Sequence, residues 1–197
     1  MGCNRIMKVG IPRERVDGEA RVATTPEIAK KLVAGGVTLL VERGAGERAH
    51  FADAEYEQAG AQLTDAAGAL ACDIVAKVRK PLDDEVAAMR EGAIFVGHAE
   101  TCDQDPAVSA MQRKNIRVMA MERIPRISRA QSMDALSSQS NIAGYRAVIE
   151  AANHLGRFIP LMMTSAGSAK PARVIVLGAG VAGLQAIATA RRLGGDV

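Results

Sequence analysis

Ten consecutive residues, Val174-Ile-Val-Leu-Gly-Ala-Gly-Val-Ala-Gly183, constrain the fold of this 197-residue chain more than any other stretch. An apolar, β-branched run enters a G-x-G-x-x-G turn, and Leu184-Gln-Ala-Ile-Ala-Thr-Ala190 leaves it with helical composition. The three glycines have separate duties. Gly178 permits the tight turn, Gly180 lets a pyrophosphate approach the backbone, and Gly183 lets the helix pack on the strand. A helix from Leu184 to about Leu193 would aim its free N–H groups and dipole at the phosphates. The run before the turn reads as a buried parallel strand. In such units the second strand brings an acid to the adenosine ribose about 20 residues further on. The sequence ends at Val197, about where that strand would begin. Weak or no dinucleotide binding is therefore the expectation for the chain as given.

The rest of the sequence alternates strand and helix. Lys8–Ile11, Val37–Val41, Asp73–Val78, Ala93–Gly97 and Ile116–Met121 read as strands. Helices fit from Thr25-Pro26 to Ala34, Asp53 to Gln58, Thr64-Asp65 to Ala71, Asp83 to Arg90 and Pro106 to Arg113. Thr25 is the N-cap of the first, with Pro26 at its first position and Gly35-Gly36 as the stop. This rhythm predicts an α/β fold with a parallel, flavodoxin-like sheet over residues 1–125. A polar loop and a long helix, Ala135–Phe158, then occupy 126–170. Leu136, Ile142, Ala143, Ala147, Val148, Ala151 and Leu155 form its apolar stripe. Residues 171–197 open a Rossmann-type unit, with Gly167–Pro171 as a loop before it.

Composition narrows the function. Lys and Arg are interspersed with Asp and Glu at a net charge of +3, with 3% aromatics and no Trp. No basic stripe with interleaved aromatics marks a nucleic-acid binder. Cys3, Cys72 and Cys102 are too few and scattered for a disulfide framework, and read as reduced cytosolic thiols. His50, His98 and His154 lack ligand spacing, so no metal site is expected. No apolar run reaches membrane-spanning length. Met1–Ile11 lacks a signal-peptide core, and Ile6 stands where myristoylation wants Ser or Thr. Met7 fits as the structural start. Met111, Met119, Met121, Met162 and Met163 read as core filler.

The loop Pro125-Arg-Ile-Ser-Arg-Ala-Gln-Ser-Met-Asp134 gathers two guanidiniums, an amide, two hydroxyls and a carboxylate. A clasp between Arg126 and Asp134 across it would leave Gln131 free for a polar ligand. From the residues alone, a ligand loop and a solvated linker stand even.

Resemblance separates them. Val9-Gly-Ile-Pro-Arg-Glu14, Gly18–Pro26, Pro125–Asp134, Ser137–Arg146 and Pro171–Leu184 resemble the NAD(H)-binding component of proton-translocating transhydrogenases, within the alanine dehydrogenase/transhydrogenase family. The Arg126–Asp134 stretch is the most family-specific. The resemblance implies hydride transfer between NADH here and NADP+ on another component. It implies nicotinamide contacts from Arg126, Gln131, Ser132, Met133, Asp134 and Ser137, with Arg126, Gln131 and Asp134 as the catalytic set. The pyrophosphate side would be Gly178, Ala179, Gly180, Val181 and Gly183. It further implies a homodimer, membrane-spanning and NADP(H)-binding partners, and a cytoplasmic location peripheral to the inner membrane. Two alternatives stand beside this reading: a soluble NAD-dependent alanine dehydrogenase, or a truncated, inactive binding module. For the former, Arg21, Lys77 and His98 match positions that bind the keto acid in alanine dehydrogenases.

Overall fold

The computed structural model describes residues 6–100 and 105–197, and divides into two compact units, Met1–Pro125 and Arg126–Val197. Cys3 and Cys102 lie outside the described residues.

The first unit is built on a six-stranded, all-parallel sheet: β1 (Lys8–Ile11), β2 (Thr38–Glu42), β3 (Gln62–Thr64), β4 (Ile74–Ala76), β5 (Ile94–Gly97) and β6 (Arg117–Ala120). Its helices are α1 (Pro26–Ala34), α2 (Asp53–Gln58), α3 (Ala66–Leu70), α4 (Asp83–Ala88) and α5 (Pro106–Arg113). The expected parallel α/β architecture is present, with one strand more than periodicity marks. Gln62–Thr64 is a short edge strand, partly exposed, and carries too few apolar residues to register. The strand order is β3-β2-β1-β4-β5-β6. That is the doubly wound order of nucleotide-binding sheets, not the 2-1-3-4-5 order of a flavodoxin-like one. The chain winds outward through β2 and β3, then returns to pair β4 with the free side of β1. The β1–β4 boundary is thus the switch point, the place where open sheets of this kind generally bind ligands beyond the carboxyl ends of their strands.

Local chemistry sets the helix starts. The Thr25 side chain accepts from Ile28 N, Asp65 from Gly68 N at 2.7 Å, and Asp105 from Ala107 N at 2.8 Å. Two clusters form the core. Val9, Ile11, Leu39, Val41 and Tyr56 belong to one, and Val75, Val86, Met89, Phe95 and Met111 to the other. Tyr56 is fully buried and donates to Thr24 O at 2.8 Å. Burial pushes its phenol up to about 12. The methionines split. Met111 is core, whereas Met119 and Met163 are largely exposed, because β6 is a sheet edge and Met163 lies in a hairpin outside any core.

The second unit holds α6 (Ala135–His154), a hairpin of β7 (Met162–Thr164) and β8 (Gly167–Ala169), and α7 (Val181–Arg192). Its core is small: Val148, Ala186 and Ala190, with Val174, Val176 and Leu193 against them. The hairpin replaces the expected loop at Gly167–Pro171. The long helix ends at His154 rather than Phe158, and its buried face differs from the expected stripe. Gly144 and Val148 are buried, while Leu136 and Ile142 are more than half exposed. Close approach to α7 selects a small residue, and the apolar count does not see that.

The run before the glycine turn also departs from a buried strand. Arg173 makes a single parallel bridge to Asp196, and Ile175 and Leu177 are 80% and 95% exposed. A strand is held by its neighbours, and residues 126–197 supply one bridging residue. Among the described residues no helix is long and apolar enough to cross a membrane.

Candidate functional site

Within the second unit, a cleft of about 350 Å3 is lined by Arg126, Leu136, Ser137, Ser140 and the turn Leu177–Gly183 without Ala179. Both walls have local causes. On one side, Gly178 takes a φ of 106°, a left-handed value that L side chains rarely adopt. Gly180 is the N-cap of α7 and offers no side-chain cap, so the first N–H groups of the helix remain for a ligand. A Cβ on Gly180 would meet nothing, so the space above this backbone is open, whereas one on Gly183 would collide with the carbonyl of Gly178. The helix starts at Val181, three residues before the sequence-based start, because Gly183 is the third residue of its first turn rather than a connector.

The opposite wall is the start of α6. Asp134 is its N-cap: the carboxylate accepts from Ser137 N at 2.9 Å and from Ser137 Oγ at 2.6 Å. These two bonds, with the charge of Arg126 adding a smaller pull, hold the Asp134 carboxyl below its usual range. Arg126 makes no ion pair with Asp134 among the described residues, so the expected clasp is absent. The carboxylate is turned onto its own helix end, where two short donors outcompete an exposed guanidinium. Arg126 itself reaches the cleft.

The structure therefore brings Arg126, Ser137, Gly178, Gly180, Val181 and Gly183 to one cleft. Ala179 lies in the turn between two of them. Gln131, Ser132 and Met133 are exposed on the 3-10 segment Ser128–Met133 and do not line it, and neither does Asp134. Sequence reasoning missed Ser140, Leu136, Leu177 and Ala182 as lining residues. Ser140 carried a signal, since it follows Ser137 by three residues and must share its helix face.

Arg21, Lys77 and His98 belong to the first unit and follow the sheet toward its carboxyl ends. Each meets a carboxylate of this chain. Lys77, fully buried, places Nζ 2.7 and 2.8 Å from the two oxygens of Glu85 and 3.8 Å from Glu14. Glu14 also accepts from Val78 N at 2.6 Å. Burial raises its pKa, against the pull of Lys77. Arg21 and Arg79 both hold Glu19, at 2.6 to 2.8 Å, and the Arg21 hydrogen bond leads in pulling that carboxyl down to about 2. His98 Nδ1 lies 3.6 Å from Glu122. The three side chains that the alanine dehydrogenase alternative would assign to a keto acid thus already face carboxylates of this chain.

A doubly wound sheet followed by a glycine turn capping a helix defines a nucleotide-fold α/β protein. Residues 10–143 match the model for the N-terminal domain of alanine dehydrogenase/PNT, and residues 147–197 match the model for the C-terminal domain. The chain belongs to the alanine dehydrogenase/PNT family. It is 45% identical over 191 residues to NAD(P) transhydrogenase subunit alpha of Haemophilus influenzae, covering 97% of this chain and 37% of that one. It is 30% identical over 195 residues to alanine dehydrogenase 2 of Staphylococcus aureus, covering 97% of this chain and 52% of that one. The crystal structure of transhydrogenase from Sinorhizobium meliloti superimposes with a TM-score of 0.92 at 48% identity, over 95% of this chain and 57% of that one. The chain thus spans between about a third and three-fifths of the length of these relatives.

Proposed function

We propose that this chain carries the nicotinamide and pyrophosphate parts of an NAD(H) site in a transhydrogenase, where NADH gives hydride to NADP+ held on a partner component. One observation carries the reading: Arg126 and Ser137 line the same cleft as the uncapped start of α7. A pyrophosphate there would accept from the N–H groups of Val181 and Ala182. Arg126 supplies the charge beside it, and Ser140 supplies a hydroxyl donor, the Ser137 hydroxyl being committed to Asp134.

The chemistry suits this equipment. Both substrates are nicotinamides, so a hydride moves with no proton to place, and neither general acid nor base is required. Asp134, held ionised by Ser137, is no proton donor near neutral pH. The work left to the protein is orientation, which lies within reach of hydrogen-bonding residues alone. In this reading Gln131, Ser132 and Met133, exposed beside the cleft, meet the nicotinamide end once it is bound. Proton translocation and membrane attachment belong to partner components, and a homodimer is part of the proposal.

Titration calorimetry with NADH tests the reading. Saturable binding that Arg126→Ala weakens by roughly tenfold, as expected for losing a charge-assisted contact, supports it. Absence of binding at millimolar NADH, or equal affinity in the variant, rejects it. Oxidation of NADH with pyruvate and ammonium would instead favour an alanine dehydrogenase. The carboxylate partners of Lys77 and Arg21 count against that outcome.

A further inference from the structure

Four residues of α6 fall at spacings of three, four and four: Ser137, Ser140, Gly144 and Val148. Those spacings place them on one helix face. Val148 is buried in the small core with Ala186 and Ala190 of α7. Ser137 and Ser140 line the cleft. Gly144 lies between them and Val148, and is buried. A Cβ there would run into the carbonyl oxygen, carbonyl carbon and Cα of Ala182, all backbone atoms of the first turn of α7. Backbone cannot swing aside as a flexible side chain would. Any side chain at position 144 must therefore push the two helices apart at the glycine turn.

We infer that Gly144 is a positioning residue of the cleft: by letting α6 rest on the backbone of Ala182, it holds the Ser140 hydroxyl against the dinucleotide's pyrophosphate at the Gly178–Gly183 turn. The inference rests on the NAD(H) reading and adds to it a residue that touches no ligand. Ser140 stands one helical turn from Gly144, so a displacement at the contact passes to the hydroxyl almost undiminished. Ser140 makes no side-chain hydrogen bond within the described residues, which leaves its hydroxyl to the cleft.

The test compares three variants of the chain, with NADH observed through the 31P resonances of its pyrophosphate. Each is held at a temperature where circular dichroism shows it folded. Gly144→Ala is expected to weaken NADH binding by about tenfold and to shift the bound 31P signals, and Ser140→Ala to weaken it severalfold. Val148→Ala removes packing from the same interface without forcing the helices apart, and is expected to bind within about twofold of wild type. Equal losses in Gly144→Ala and Val148→Ala would reduce Gly144 to a packing residue and overturn the inference. So would wild-type affinity in Gly144→Ala. A wild-type chain that leaves the 31P signals unmoved at millimolar protein would overturn the NAD(H) reading itself. If Gly144→Ala does not fold, wild-type affinity in Ser140→Ala still overturns the assignment.

Discussion

Lys77 and Glu85 form a two-pronged ion pair sealed from solvent, with Nζ at 2.7 and 2.8 Å from the carboxylate oxygens. The same carboxylate accepts from Leu82 N at 2.8 Å, fixing the start of α4. Glu85 therefore joins β4 to α4 beside the switch point of the sheet. With Glu14 at 3.8 Å, one ammonium serves two carboxylates. Removing one partner of such a pair strands a buried charge.

Lys77→Met should cost roughly 3–5 kcal/mol of stability, the usual loss when one member of a buried pair is removed. Glu85→Gln, which keeps the amide oxygen for Lys77 and leaves Glu14 as counter-charge, should cost less. Urea unfolding at neutral pH ranks them. The double variant Lys77→Met, Glu85→Leu should recover part of the loss, and a purely additive result would deny the coupling.

Glu19 should shape the acid limb of stability. Its carboxyl is lowered from 4.5 to about 2, chiefly by the Arg21 hydrogen bond. The folded state thus gains stability from the ionised form. That gain is fully present above about pH 4.5 and is lost as the pH falls toward 2. Glu19→Gln should lose stability at pH 7 but show a flatter decline between pH 5 and about pH 3 than wild type. Parallel acid limbs in the two proteins would contradict this.

Asp134→Ala should loosen the first turn of α6 through loss of the N-cap, whereas Asp134→Asn keeps a cap and should be nearly neutral. Amide exchange at Ser137 and Ser138 is the local reporter. If neither amide exchanges faster in the alanine variant, the cap does not hold the helix start.

On the proposed reading, Gln131→Ala in the assembled transhydrogenase should slow hydride transfer more than it weakens NADH binding, since an orienting contact acts mainly in the transition state. Single-turnover kinetics beside equilibrium titration separates the two. A proportional loss in both would make Gln131 an ordinary binding contact.

Where the elements lie was largely legible in the chain. Thr25-Pro26, Asp65 and Asp105-Pro106 announce helix starts because capping is a contact between near neighbours. Short apolar strands stand out because parallel strands buried on both faces need continuous apolar runs. Gln62–Thr64 was illegible because an edge strand is defined by its ladder to β2. The Arg126–Asp134 clasp failed for a related reason. Opposite charges eight residues apart can attract, but Ser137 stands closer and offers Asp134 two donors.

The strand–helix rhythm, the glycine turn and the family-specific loop follow from residue order, since each depends on residue type at short spacing. The strand order does not, and neither does the turning of Lys77, Arg21 and His98 toward the chain's own carboxylates. Nor does residue order announce that Gly144, unremarkable among its neighbours, meets the backbone of Ala182. Those outcomes depend on which distant segments come together. Packing and the pairing of buried charge settle that only when the whole chain is folded.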